Sequence, residues 1–316
     1  MTSTGRLRIG VVGAGQIART RHFPTLLASG DFTPVAAVNP VAVPLPAGLS
    51  LYPSLDGLIA AGGVDAVAIS TPPQVRYELA RAALRAGLHV LLEKPPALTV
   101  AEMEDLAQEA ARAGRTLFTA WHSMFAGGVA PAAALLQQRA PRSMRIEWRE
   151  DVEKWHPGVD WFWQPGGLGV FDPGINAFSV VVACMPEPLF VREAAFRVPD
   201  GAHTPVAADI CFATPTRADG FEAHLDWDHH GEECWNIEWG LEDGGSLRLG
   251  AGGARLLLDG ERLLDERDDE YPRLYRRFAA LIREGHSEVE TRPLRLAADC
   301  FFLASRQTVG RFRQRA

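Results

Sequence analysis

The chain has no C-x-x-C pair, and its four cysteines, Cys184, Cys211, Cys234 and Cys300, stand far apart. That spacing gives neither a zinc signature nor a disulfide framework, so no metal is expected and the thiols suit a reducing cytoplasm. A long apolar run is also missing. The longest, Phe178 to Met185 around one serine, falls far short of the ~20 residues that span a bilayer, so no membrane partner is expected. The start, Met1 to Arg6, lacks the apolar stretch of a secretory signal, which again points to the cytoplasm. There is no basic tract either. With 32 basic and 39 acidic residues the net charge is −7, a field that opposes a phosphate backbone and argues against nucleic acid. Internal repeats and low-complexity segments are absent.

What is present is a chain of 316 residues with 47% hydrophobic and 22% charged content, long enough for two folded domains at roughly 150 residues each. Short apolar runs at Leu7 to Val12, Val35 to Val38, Ala66 to Ile69, His89 to Leu92 and Leu117 to Trp121 alternate with helical patterns. That rhythm indicates a parallel sheet covered on both faces. Pro24 starts a helical segment, Arg76 to Ala86 reads as a helix closed by Gly87, and Thr99 with Glu102 caps a helix from Val100 to Ala113.

After about residue 122 the rhythm changes to alternating strands. Met144, Ile146 and Trp148 share one face, Phe221, Ala223, Leu225 and Trp227 another, and Asp259-Gly260 is a hairpin turn. Helices at Tyr271 to Arg283 and Leu294 to Arg311 finish the chain. The expected architecture is therefore α/β: a Rossmann dinucleotide-binding domain over residues 1–122, then an α+β domain over 123–316 with a large, mostly antiparallel open sheet. Alternating charges on the outer face of the 144–149 strand leave a homo-oligomer built sheet to sheet open.

Gly13-Ala14-Gly15-Gln16-Ile17-Ala18 follows the first strand and opens a helix, the setting in which a G-x-G-x-x-A pattern receives a pyrophosphate. The second strand ends at Asn39-Pro40, with neither an acidic residue for ribose hydroxyls nor an arginine for a 2′-phosphate. No lysine or arginine lies between Arg21 and Arg76, so NAD is favoured while NADP stays open. Glu93-Lys94-Pro95-Pro96 ends a strand at the sheet edge where ligands bind, which makes Lys94 a candidate functional group.

Glu150 shares parity with Met144, Ile146 and Trp148, an expensive place for a carboxylate unless it is paired or functional; a bulge after Trp148 is the alternative. His156 follows in a loop. Asp172-Pro173 reads as an N-cap and first helical residue, with Asn176 four residues on along the same face. All eight tryptophans fall between Trp121 and Trp239, and Trp155 and Trp235, near polar clusters, are candidates for a ligand wall. Asp228-His229-His230 reads as a solvated turn rather than a metal site.

These residues together resemble the family of glucose-fructose oxidoreductase, inositol dehydrogenase and related NAD(P)-dependent sugar dehydrogenases. More narrowly, the stretches at 93–96, 121–123, 155–158 and the long P-G-G-L-G-V-F-D-P-G-I-N at 165–176 look like the D-galactose and L-arabinose 1-dehydrogenases. The resemblance covers nearly the whole chain. It implies catalytic roles for Lys94, Asp172 and Asn176, and sugar contacts for Glu150, His156 and His122, to which the candidate ligand wall of Trp155 and Trp235 would be added. Cofactor contacts are implied for Gly13, Gly15, Gln16, Ile17, Asn39, Thr71, Pro72, Glu93, Lys94 and His122. Gln16 and Met124 depart from the narrower group, which often has lysine and arginine there. Asn176 stands where many members have histidine, which leaves Asp172 or Lys94 to accept a proton. The implied activity is oxidation of an aldose at its anomeric carbon; a sugar-sensing regulator on the same fold, or oxidation at another ring position, are the alternatives.

Overall fold

The computed structural model describes residues 5–266 and 269–310. The chain forms two compact units, and the first comprises the residues up to His122 together with Glu270–Thr291. Its elements are β1 (Leu7–Val12), α1 (Phe23–Ala28), β2 (Phe32–Val38), β3 (Ser50–Tyr52), α2 (Leu55–Ala61) and β4 (Ala66–Ile69). They continue with α3 (Arg76–Arg85), β5 (His89–Glu93), α4 (Val100–Ala113) and β6 (Leu117–Ala120).

The six strands pair in the order β3-β2-β1-β4-β5-β6, all parallel. Each residue of β4 and the middle of β5, Val90 to Leu92, are fully buried, as expected for strands covered on both faces. Strand order reverses between β1 and β4, and the loops leaving these strands diverge there, the usual place for a ligand crevice. Helix α4 carries the anticipated capping box: Glu102 N donates to Thr99 Oγ1 at 3.1 Å and Thr99 N to Glu102 Oε2 at 3.2 Å. The short strand β3 and helix α2 have too little apolar pattern to stand out in the sequence.

The second unit holds residues 123–269 and the chain from Arg292 onward. It contains α5 (Val129–Gln138), β7 (Pro141–Arg149), α6 (Val152–Trp155), α7 (Phe171–Cys184), β8 (Phe190–Pro199), β9 (Ala207–Ala213) and β10 (Phe221–Asp226). Next come β11 (Cys234–Leu241), β12 (Ser246–Gly250), β13 (Arg255–Leu258) and β14 (Glu261–Asp265). The chain then returns to the first unit as α8 (Glu270–Glu284) before ending in α9 (Arg292–Leu303) and β15 (Ser305–Val309).

The nine strands run in the order β14-β13-β12-β11-β7-β10-β9-β8-β15. Pairing is antiparallel except for β7 with β10 and β8 with β15. Helix α7 packs on β7 and β11, with α5 and α9 against it. On the other face Arg145, Glu147 and Glu222 form ion pairs, as do Arg197 and Asp209, and His224 Nδ1 hydrogen-bonds the other Asp209 oxygen. Asp259-Gly260 makes the β13–β14 hairpin with both residues at positive φ, 51° and 83°.

Two expectations change. Segment Glu270–Thr291 belongs to the first unit, because α8 buries Tyr271, Leu274, Tyr275 and Phe278 there and Phe278 stacks on Phe32 and Phe118 at 5.6 and 5.9 Å. The final helix stops at Leu303 instead of running on to Arg311, which lies outside the described residues. The chain turns into β15 and pairs with β8, a partner more than a hundred residues away that the helical pattern did not reveal. Among the described residues no helix is long and apolar enough to cross a membrane.

Candidate active site

In the first unit the glycine loop sits at the switch point. Gly13 has φ +92°, and a Cβ there would lie 2.9 Å from Thr71 N, so only glycine fits. A Cβ on Gly15 would meet no protein atom within 4 Å, which leaves the far side of the loop open to a ligand. Ser70 Oγ donates to Gly13 O at 2.7 Å and ties the β4 loop to the glycine turn. The chain then becomes helical from Gln16 through a π-helical turn, Ala18–His22, and runs into α1. Gln16 is exposed and Ile17 half-buried at the start of that helix.

Asn39 clamps the same turn. Its Oδ1 accepts from Ala14 N at 3.2 Å and its Nδ2 donates to Val41 O at 2.8 Å, leaving one N–H and one lone pair of the amide for a ribose hydroxyl. Thr71 Oγ1 is buried and has no hydrogen-bond partner among the described residues, a vacancy that a cofactor oxygen or amide would fill. Pro72 beside it is exposed. A tight glycine turn, an open approach and an orphaned hydroxyl together fit a dinucleotide.

Lys94 is half-buried at the end of β5, and its N–H donates to Glu93 Oε2 at 2.8 Å. Glu93 itself is 2% exposed. Its Oε1 accepts from Tyr271 Oη at 2.5 Å and stands 3.2 Å from His22 Nε2, an ion-pair distance. Burial would raise the Glu93 pKa, but His22, the charge of His122 and the Tyr271 hydroxyl overcome it and hold the carboxyl well below its usual range. The Glu93 side chain thus lies behind Lys94, turned into the unit. Burial and the same carboxylate push the Tyr271 hydroxyl up, so it remains a donor.

His122 ends the first stretch of this unit. It stacks on Tyr271 with ring centroids 5.4 Å apart and bonds Glu270 Oε2 through Nδ1 at 2.5 Å. Burial opposes its charged form, yet the Glu270 carboxylate, with Glu93 beyond it, raises its pKa.

In the second unit Glu150 follows β7 on the buried face, as its parity required, and is 8% exposed. No bulge turns it outward. Trp227 Nε1 donates to its Oε1 at 2.9 Å and Trp235 Nε1 to its Oε2 at 2.8 Å, which offsets the cost of burying the carboxylate. Trp155, 40% exposed, meets Trp235 edge-on at 6.1 Å, and its Nε1 donates to Glu233 Oε1 at 2.6 Å. Lys154 bonds the other Glu233 oxygen at 2.7 Å. His156 packs edge-on against Phe162 and Trp227 at 5.0 and 5.8 Å. Glu150, Trp155, His156 and Trp235 are therefore linked in one cluster, His156 through Trp227.

Helix α7 begins at Phe171, so Asp172 lies inside its first turn and is not the N-cap. Gly169 at φ +53° reverses the chain, and the helical ladder opens with Gly174 N donating to Val170 O at 3.0 Å. Asp172 is 6% exposed near the positive end of the helix, and Asn176 is half-buried one turn on along the same face. The preceding glycines are required by packing: a Cβ on Gly167 would collide with the carbonyls of Trp161 and Phe162. Asp228 and His230 are exposed and pair with each other at 3.1 Å.

Sequence reasoning missed His22, Tyr271, Glu270, Trp227 and Glu233 as parts of these clusters. One usable signal was overlooked: arginine serves for almost every cation, and Lys94 and Lys154 are the only lysines in the chain. Lysine can release a proton at accessible pH whereas arginine cannot, so a lone lysine at a strand end stands out.

Comparison with known proteins identifies the family. Residues 7–121 match an oxidoreductase family described by its NAD-binding Rossmann fold, the GFO_IDH_MocA family. The galactose 1-dehydrogenase of Pseudomonas fluorescens is 43% identical over 97% of this chain and 98% of its own. The crystal structure of D-galactose-1-dehydrogenase from Rhizobium etli superposes with a TM-score of 0.93 at 40% identity, covering 99% of this chain and all of that one. A 3-ketoreductase from Actinomadura kijaniata, solved with NADP and TDP-benzene, shares the fold at a TM-score of 0.83 and 20% identity, covering 96% of this chain and all of that one. The chain thus belongs to the glucose-fructose oxidoreductase, inositol dehydrogenase and MocA family of oxidoreductases with an NAD-binding Rossmann fold.

Proposed function

We propose that the chain is an NAD(P)-dependent galactose 1-dehydrogenase that oxidises D-galactose at the anomeric carbon to the lactone and also accepts L-arabinose and D-fucose. The observation that carries this reading is identity of 40–43% along almost the whole chain to two galactose 1-dehydrogenases. The glycine loop, with Asn39 and Thr71, would hold the cofactor. When bound, its nicotinamide supplies the acceptor for the hydride that leaves the anomeric carbon.

The remaining work falls to this chain's side chains. The anomeric hydroxyl is more acidic than an ordinary alcohol, so one positioned base suffices to take its proton as the carbonyl forms. In one assignment the Lys94 cation stabilises the developing alkoxide and Asp172 takes the proton; in the other neutral Lys94 takes it. Asn176 bonds the same oxygen but cannot accept a proton from it. Glu150, His156, Trp155 and Trp235 contact the sugar, with the indoles offering faces for its C–H groups.

The 2-, 3- and 4-hydroxyls of L-arabinopyranose and D-galactopyranose have the same arrangement, so a wall that reads them admits both. NAD should serve at least as well as NADP, because the β2 end presents Asn39 and no cation. Identification of the product tests the reaction: a 1,5-lactone or the aldonate formed from it supports the proposal, and a keto-sugar would move the oxidation to another ring position.

A further inference from the structure

Arg76, the first residue of α3, is 5% exposed, and its Nη1 donates to two main-chain carbonyls, those of Glu93 and Pro95. These belong to the residues on either side of Lys94. Glu93 Oε2 in turn accepts the Lys94 N–H at 2.8 Å, while Tyr271 Oη donates to the other oxygen of that carboxylate at 2.5 Å. Hydrogen bonds from two ionised, buried side chains thus converge on three consecutive residues. A lysine reaches its target on a flexible four-carbon stem, so the position of its main chain decides what the amine can reach. Burying an arginine and a carboxylate here is costly unless each is well bonded, and both are bonded to this one stretch of backbone.

We infer that Arg76 and Tyr271 are positioning residues for Lys94: Arg76 clamps the carbonyls that flank it, and Tyr271 orients the Glu93 carboxylate that holds its N–H. This rests on the role proposed above for Lys94. Neither residue touches the sugar or takes part in proton transfer. They fix where the Lys94 amine begins, so their loss lowers turnover with little effect on ground-state binding.

Tyr271→Phe removes one hydroxyl and keeps the ring. It should lower kcat by about tenfold while KM for NAD and for galactose stays within about twofold. Tyr275→Phe is the control, since it removes an equally buried hydroxyl whose partner is His22 Nδ1 at 2.6 Å, one bond further from Lys94; kcat should stay within about twofold. Arg76→Lys, which keeps the charge, should restore part of the turnover lost in Arg76→Met.

A readout independent of activity is also at hand. Labelling with [15N]lysine marks only the main-chain amides of Lys94 and Lys154, and Lys154→Arg assigns them. The Lys94 amide resonance should move in Tyr271→Phe and stay in place in Tyr275→Phe. An unmoved Lys94 resonance with wild-type kcat in Tyr271→Phe would overturn the inference. Near-wild-type turnover in Lys94→Ala would instead remove the catalytic role of Lys94, whatever the resonance does.

Discussion

Trp235 Nε1 donates to Glu150 Oε2 at 2.8 Å, and the indole of Trp227 occupies the other oxygen of the same carboxylate. Glu150 is therefore both a sugar-contact candidate and the anchor of two tryptophans. Each bond to a charged group contributes roughly 1.5–3 kcal/mol, so Glu150→Ala, which orphans two indole N–H groups, should cost about 3 kcal/mol or more. Urea unfolding measures this, and a loss below about 1 kcal/mol would show that the indoles do not depend on the carboxylate. Among the folded molecules KM for the sugar should rise while KM for NAD holds.

Lys94→Ala and Asp172→Asn should each lower kcat by about 10²-fold or more, the usual scale for a group that stabilises charge or moves a proton in the transition state. The dissociation constant for NAD, followed by tryptophan fluorescence, should change little. Near-wild-type turnover in either variant removes that residue from the chemistry.

The two loop glycines should separate folding from binding. Gly13→Ala combines a disfavoured φ with a collision against Thr71 N, so it should lower both Tm and affinity for NAD. Gly15→Ala meets no protein atom, so Tm should hold while affinity falls. Equal affinity for NAD in Gly15→Ala and wild type would show that the cofactor does not approach the loop at that point.

His122 should titrate above its ordinary value of 6.5: burial opposes the charge, and the Glu270 carboxylate with Glu93 together overcome it. In Glu270→Gln the midpoint should drop, since burial then meets less opposition. With a folded pKa above the unfolded one, the pair stabilises fully below about pH 6.5, and that contribution is lost as pH rises through the folded value. The Tm difference between wild type and Glu270→Gln should therefore shrink with rising pH above that point. NMR titration of the His122 ring checks the midpoint; an unchanged value in Glu270→Gln would contradict the pairing.

What the sequence revealed was local. The capping box joins Thr99 to Glu102, only three positions apart, the Asp259-Gly260 hairpin needs only its own turn, and Glu150 betrayed itself by its parity on a strand. The Rossmann strands were legible because burial on both faces makes them continuously apolar. The Lys94 surroundings were not legible, because Arg76 lies 17 residues before Glu93 and Tyr271 lies 178 after it, joined only by the fold. Likewise α9 ran visibly apolar through Phe301-Phe302-Leu303, and only pairing with β8 shows that Ser305–Val309 is a strand.

The central claim is tested most directly by comparing kcat/KM for D-galactose and D-glucose with NAD, following NADH at 340 nm. The two sugars differ only at carbon 4. A small steric difference discriminates modestly, whereas a misplaced hydroxyl leaves buried polar groups unpaired, at a penalty of up to about 10⁴-fold. The predicted result is NADH formation with D-galactose, L-arabinose and D-fucose, and a much lower kcat/KM for D-glucose. Sugar binding without NADH formation, or comparable kcat/KM for the two epimers, would contradict it.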